Sequence, residues 1–108
     1  MTTVKIGRQN KNIVSLHSFG HTEFDVQGQD IVCAALSSII QTAALGLMQV
    51  VGIDIGLVRD DNKGKLSFSL PSLSESDRLK ANCILDTMLL GIADLHDTYS
   101  DFIELIVN

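Results

Sequence analysis

The segment from Ile31 to Ile53 contains no charged residue, and this run constrains the fold more than any other feature of the sequence. The run is long enough to cross a bilayer. Polar residues interrupt it, however, and no basic cluster flanks it, so a membrane-spanning helix is disfavoured. These polar residues are Ser37, Ser38, Gln41, Thr42 and Gln49. We expect a helix from about Ile31 to Val51, buried on most sides by the protein's own sheet, and further by a second subunit if the chain dimerises.

The segments around this helix alternate apolar with polar residues, which is the period of half-buried strands. The predicted strands are Val4 to Arg8, Ile13 to Phe19, Ile53 to Arg59, Lys65 to Leu70 and Phe102 to Val107. The third and fourth form a hairpin whose turn is Asp60 to Gly64. A capping-box-like start at Ser74 to Asp77 begins a second helix. The order ββαββαβ predicts a single α+β domain over residues 1–108, with a mostly antiparallel sheet packed with two helices.

The second predicted helix carries two adjoining apolar stripes, which span more than the single face that a monomer buries. One stripe contains Ile84, Met88 and Leu95, and the other contains Leu85, Leu89 and Ile92. The chain is also short, so its own core is modest. We therefore expect a homodimer whose interface uses apolar helix surface. Cys83, on the same helix, is predicted to lie in the core.

The sequence has 13 acidic and 8 basic residues, a formal net charge of −5. This balance disfavours a phosphate-binding face, so we expect no direct binding of nucleic acid. Met1 to Ile6 holds no apolar run of the length a signal peptide needs, and we expect a cytoplasmic protein that does not bind membranes. Neither a phosphate-binding glycine loop nor paired zinc-ligand spacing is present, even with His17 and His96 considered. The sequence therefore predicts no cofactor and no metal.

One short stretch combines a histidine, a loop with glycines and a cysteine. Asp30 is typical of a helix N-cap, which makes Cys33 the third helical position. There the helix dipole favours a thiolate, and a neighbouring His21 can accept the proton and later return it to a leaving amine. These are the parts of a cysteine peptidase. On spacing alone, however, a small cysteine among apolar neighbours is also typical of an inert core residue.

The residues alone leave several roles open. Asp30 either caps the helix, which is the simpler interpretation, or orients His21. Ser37, one turn beyond Cys33, bonds to a backbone carbonyl or contacts His21 or substrate. First-turn N–H groups around Cys33 are candidates for an oxyanion hole, together with a donor from the loop. The loop, with Thr22, Glu23, Phe24 and Gly28, either assembles the site when a peptide orders it or is an ordinary surface loop.

The same stretch resembles the signature of the ribosomal-processing cysteine protease family, known as Prp. The resemblance is carried by Gly20, His21, Gly28, Asp30 to Ala35 and Ser37. Chain length and the order of predicted elements also fit, although Thr22 stands where the family has a small residue such as alanine. The resemblance implies a bacterial peptidase that removes an N-terminal extension from a large-subunit ribosomal protein, and it implies a homodimer.

Carried over by motif, the resemblance implies that Cys33 is the nucleophile and His21 its general base. Gly20, Asp30 and Ser37 then support this pair. Two other functions remain open: a non-catalytic ribosome-associated binding module in which Cys33 is structural, and a thiol redox sensor that uses Cys33. The rate of alkylation separates them, because a structural cysteine reacts slowly at neutral pH and a cysteine paired with a base reacts quickly.

Overall fold

The computed structural model describes residues 1–20 and 29–108, with the backbone alone given for Gln29 and Asp30. Within these residues the strands are β1 (Thr2–Gln9), β2 (Asn12–Phe19), β3 (Val58–Asp60), β4 (Lys65–Ser69) and β5 (Ile103–Val107). They form one sheet in the order β3-β4-β2-β1-β5. The pairs β1–β2, β2–β4 and β3–β4 are antiparallel, and β1–β5 is parallel. The predicted α+β fold with a mostly antiparallel sheet is confirmed.

Two helices cover one face of this sheet in the described part of the chain. Helix α1 (Gln29–Leu45) continues as a π-helical segment (Gly46–Val51), and α2 spans Glu75–Thr98. Alternate strand residues and both helices bury their apolar side chains in a common core. Fully enclosed members include Val4, Ile6, Leu16, Ile40, Leu47, Leu85 and Ile92. Each such aliphatic side chain contributes roughly 1.5–3 kcal/mol by leaving water, and this shared core fixes α1 against the sheet.

The uncharged run forms one continuous helical stretch, as predicted, and it ends where expected at Val51. Gly52 terminates it with a left-handed φ of 85°, which is a conformation glycine adopts without steric cost. Of the described residues, Ile31–Val51 is long and apolar enough to cross a membrane by length and composition. Its side chains at Leu36, Ile40 and Leu47 instead face the core shared with the sheet.

The start of α1 differs from the prediction. Gln29 is already helical, so Asp30 follows a helical residue and is not the N-cap. Cys33 lies four residues beyond Gln29 and is therefore not the third helical residue. A helix leaves only its first four N–H groups without an internal acceptor, so the N–H of Cys33 is outside the set first expected to serve an oxyanion hole.

The hairpin is shorter than predicted, because β3 contains only Val58–Asp60. Gly56 has a positive φ of 56° and interrupts the extended conformation expected from Ile53 onwards. Ile53 and Ile55 are still buried, and the backbone N–H of Ser69 donates to the carbonyl of Ile55 at 2.9 Å. The alternating apolar residues that predicted a strand here are therefore buried, but the segment that carries them is irregular and lies beside β4.

Helix α2 begins as predicted, since Ser74 Oγ accepts a hydrogen bond from the N–H of Asp77 at 3.1 Å. The prediction that Cys83 lies in the core is wrong, because Cys83 is exposed. The core face of α2 is formed by Ala81, Leu85, Met88 and Ile92, and position 83 falls outside it. After α2 the chain turns and forms β5. β5 pairs in parallel with β1, and the first pair is Thr2 with Ile103, so β1 is a strand from its second residue onwards.

Candidate active site

Cys33 lies at the wall of a cleft between the N-terminal half of α1 and the β3–β4 hairpin. The cleft has a volume of about 210 Å³. Its lining residues come from the start of β1, the end of β2, α1 and the hairpin: Thr2, Ser18, Gly20, Cys33, Leu36, Ser37, Gln41, Arg59, Asp61, Gly64, Lys65 and Leu66. The Cys33 thiol is half-buried, so it is held in place on one side and accessible from the cleft on the other.

Thr2 contacts the thiol directly. Its Oγ1 lies 3.3 Å from Cys33 Sγ and 3.4 Å from the carbonyl oxygen of Gly20. The Thr2 side chain is buried, and its backbone N–H donates to the carbonyl of Phe102 at 3.0 Å. The parallel pairing of β1 with β5 therefore fixes the position of this hydroxyl beside the sulfur.

Gly20 occupies the point where β2 ends, immediately before His21. Its φ is +98°, and a Cβ at this position would lie 2.8 Å from the carbonyl oxygen of Met1. Both the backbone conformation and the close approach of another strand require glycine here. The sequence predicted Gly20 as a supporting residue. The backbone conformation at the end of β2 explains why this position holds a glycine.

Polar side chains follow Cys33 along one face of α1. Ser37 and Gln41 lie one and two turns further on, and both line the cleft. Arg59 Nη1 donates to Gln41 Oε1 at 3.2 Å, while Arg59 Nε donates to Asp61 Oδ1 at 2.8 Å. The hydrogen bond to Asp61, reinforced by its negative charge, raises the pKa of Arg59 above its ordinary value. The hairpin wall of the cleft thus presents a permanently charged guanidinium.

The structure brings together three of the predicted site residues, Gly20, Cys33 and Ser37, around one cleft. His21 and the loop residues Thr22, Glu23, Phe24 and Gly28 lie outside the described residues, as does the side chain of Asp30. Thr2, Gln41 and Arg59 were missed by the sequence analysis. The only local indication in the sequence was Gln41 itself, a polar residue within the uncharged run; nothing local indicated Thr2 or Arg59.

Among the side chains that the structure describes, no group of three His, Cys, Asp or Glu residues is close enough together to hold a metal ion. His17 is exposed on β2, and His96 lies in the last turn of α2 with its Nδ1 3.8 Å from Asp97 Oδ1. Neither of these histidines lines the Cys33 cleft.

Comparison with known proteins gives consistent results. Residues 1–104 match a family model described as cysteine protease Prp. The ribosomal processing cysteine protease Prp of Bacillus subtilis (strain 168) is 27% identical over 100 residues, which cover 92% of this chain and 89% of that protein.

Solved structures share the fold. An essential ribosomal processing protease Prp from S. aureus, in complex with a substrate peptide, superimposes with a TM-score of 0.87 at 22% identity, covering all of both chains. The S. aureus protease with a covalently linked product peptide gives a TM-score of 0.83 at 24% identity, again over both full chains. Because the family model covers nearly the whole sequence, the chain belongs to the cysteine protease Prp family and is a cysteine peptidase.

Proposed function

We propose that this peptidase uses a Cys33–His21 dyad to cut a peptide bond, with residues 1–108 acting as one catalytic domain. The observation that carries the proposal is the position of the Cys33 thiol: it opens onto a cleft beside Gly20, the residue directly before His21. A nucleophile needs a base within hydrogen-bond reach, and Gly20 lines the same cleft as the sulfur one position before His21 in the sequence. Gly20, Asp30 and Ser37 support the dyad.

The reaction follows from these groups. His21 takes the thiol proton, and the Cys33 thiolate attacks the carbonyl carbon of the scissile bond. His21 then gives this proton to the departing amine as the C–N bond breaks, leaving a thioester on Cys33. Water attacks the thioester while His21 accepts its proton. The acid product leaves, and the proton returns to the sulfur.

The substrate in this proposal is the N-terminal extension of a bacterial large-subunit ribosomal protein, processed in the cytoplasm. The names of the B. subtilis and S. aureus relatives support a ribosomal processing role, and the S. aureus structures support a peptide ligand. Along α1, the distance from Cys33 to Gln41 is about 12 Å at 1.5 Å per residue. An extended peptide covers that distance with about four residues. The cleft thus suits a short extended segment beside the scissile bond.

The loop before α1 is proposed to gate this cleft. Thr22, Glu23, Phe24 and Gly28 lie between the proposed base and nucleophile in sequence, so a peptide that contacts them also positions the dyad. Asp30 follows in the first turn of α1. A carboxylate in a first turn is favourable for the helix dipole even when it is not the N-cap, which supports a role for Asp30 in holding the start of α1.

A homodimer is the second part of the proposal. An apolar groove of about 700 Å³ runs between α1 and α2, bordered by Ile39, Val50 and Ile84. Val50 is 82% exposed and lines this groove with the other apolar side chains, so it belongs to one contiguous exposed apolar surface. The expected interface residue Ile92 is fully buried in the protomer's own core, so Ile92→Asp is not a test of dimerisation. Val50→Asp is the appropriate variant, with exposed Leu79→Asp outside the groove as its control.

Light scattering tests the dimer. The wild-type protein and Leu79→Asp are expected to give about twice the 11.7 kDa chain mass at micromolar concentration. Val50→Asp is expected to give the monomer mass, because an interface charge without a partner is costly. A monomeric wild-type protein would contradict this part of the proposal and leave the peptidase assignment untouched.

The cleavage itself is tested by incubating the protein with a ribosomal protein that carries its extension and measuring product masses. Wild type and Cys83→Ala, which removes the other, exposed thiol, are expected to release the extension. Cys33→Ala and His21→Ala are expected to be inactive while remaining folded, and Cys33→Ser nearly inactive, because a hydroxyl is a far poorer nucleophile than a thiolate. Normal turnover by Cys33→Ala would refute the dyad.

A further inference from the structure

We propose that Thr2 is a positioning residue for the nucleophile, whose hydroxyl holds the Cys33 sulfur in both of its protonation states. This inference rests on the proposed role of Cys33. Its observation is the pair of contacts that Thr2 Oγ1 makes, 3.3 Å to Cys33 Sγ and 3.4 Å to the Gly20 carbonyl oxygen. Among the described residues, this hydroxyl links the thiol to the strand end from which the chain continues to His21.

A hydroxyl has a single proton to donate, so the two contacts cannot both be donated at once. When Cys33 is a thiol, the S–H donates to Thr2 Oγ1, and the Thr2 hydroxyl donates to the Gly20 carbonyl. When Cys33 is a thiolate, the sulfur only accepts, and the Thr2 hydroxyl turns to donate to it. The bond to Gly20 is long for a hydroxyl donor, so giving it up costs little compared with a hydrogen bond to a charged acceptor.

The placement of the hydroxyl is rigid. Thr2 is only 5% exposed, and its backbone lies between two neighbouring strands, paired with Ile103 on one side. β-Branched threonine has restricted χ1 freedom, and burial in a sheet restricts it further. The oxygen is therefore held near the sulfur before substrate arrives, which is the arrangement that preorganised stabilisation of a charged nucleophile requires.

Thr2→Val tests the hydroxyl, because valine keeps the branched shape and the volume. The hydrogen bond to the charged sulfur is the stronger of the two, so losing the hydroxyl disfavours the thiolate, which is the form that iodoacetamide alkylates. A thiolate that accepts fewer hydrogen bonds is also more nucleophilic, which recovers about half of this effect on a logarithmic scale. We expect alkylation of Cys33 by iodoacetamide to slow roughly 3- to 10-fold. The exposed thiol of Cys83 should react at an unchanged rate in the same sample.

Two further variants make the test specific. Thr2→Ser restores a hydroxyl and is expected to return Cys33 alkylation to near the wild-type rate. Thr3→Val removes the neighbouring hydroxyl on the opposite face of β1, which contacts Glu104 at 3.5 Å, and is expected to leave the rate unchanged. In peptide cleavage, Thr2→Val should lower kcat with KM retained, because the hydroxyl acts through the nucleophile.

Equal alkylation rates in wild type and Thr2→Val would overturn the proposal. So would a Thr2→Ser variant as slow as Thr2→Val, since a hydroxyl at this position would then fail to restore the rate. If Thr2→Val does not fold, judged by its melting curve, Thr2→Ala is compared with Thr2→Ser in the same way. Alkylation is measured without any substrate, so a failure of the ribosomal-protein assignment leaves this test intact, and the Cys33→Ala cleavage assay reports that failure separately.

Discussion

Arg59 and Gln41 join the two walls of the cleft that Cys33 lines, because Arg59 Nη1 on the hairpin donates to Gln41 Oε1 on α1 at 3.2 Å. Asp61 holds the same guanidinium from the other side through Nε. The three side chains set the spacing between helix and hairpin two turns beyond Cys33. This bridge lies where an extended peptide would run along α1.

Replacing Arg59 with methionine is expected to affect peptide binding more than stability. The side chains of Arg59 and Asp61 are mostly exposed, and exposed ion pairs of this kind contribute little to stability. The free energy of unfolding should therefore stay nearly unchanged. The KM for the peptide should rise several-fold with kcat retained. Arg8→Met, an exposed arginine outside the cleft, is the control for loss of charge, and an equal rise in KM there would contradict the prediction.

Gly20→Ala is expected to destabilise the protein more than Gly52→Ala. Both glycines have positive φ, which costs an alanine about 1–2 kcal/mol. A Cβ at Gly52 meets nothing within 4 Å, whereas at Gly20 it would lie 2.8 Å from a backbone oxygen. We expect a loss of about 3 kcal/mol for Gly20→Ala, measured by denaturant unfolding. Equal losses for the two variants would show that the close approach of Met1 relaxes easily.

Ser74→Ala is expected to lower the free energy of unfolding by about 0.5–2 kcal/mol, because it removes the side chain that accepts the N–H of Asp77 at the start of α2. Ser74→Asp keeps an acceptor and should retain most of the stability. Ser76→Ala, two residues into the exposed first turn, is the matched control and should change stability by less than about 0.5 kcal/mol. A loss at Ser76 as large as at Ser74 would argue against the cap.

Ile92→Asp is expected to unfold the chain, because Ile92 is fully buried and a lone carboxylate there has no partner in the surrounding apolar core. Leu90 lies two residues away on the same helix and is 72% exposed. Leu90→Asp should therefore change the melting temperature by only a few degrees. Circular dichroism of both variants checks the prediction, and a folded Ile92→Asp protein would show that this part of α2 is not core.

Most of the secondary structure was determined locally. The uncharged run, the alternation around Leu16 and Phe68, and the Ser74 cap each depend on neighbours in sequence, so each was predicted from residues a few positions apart. The same holds for the motif that resembles the Prp signature, whose members lie within one stretch of the chain. The dyad and its gating loop rest on that motif and stay predictions.

Tertiary structure decided which side chains meet. Thr2 reaches Cys33 across 31 positions because β5 pairs with β1 and holds it as a strand from its second residue, a pairing that no local pattern encodes. Cys83 is exposed although the apolar Ile84 and Leu85 follow it, because α2 packs against the core through a different face, which includes Leu85 and Ile92. Long-range strand pairing therefore decides which residues lie near the thiol. The position of the thiol on a long apolar helix, in contrast, follows from the sequence alone.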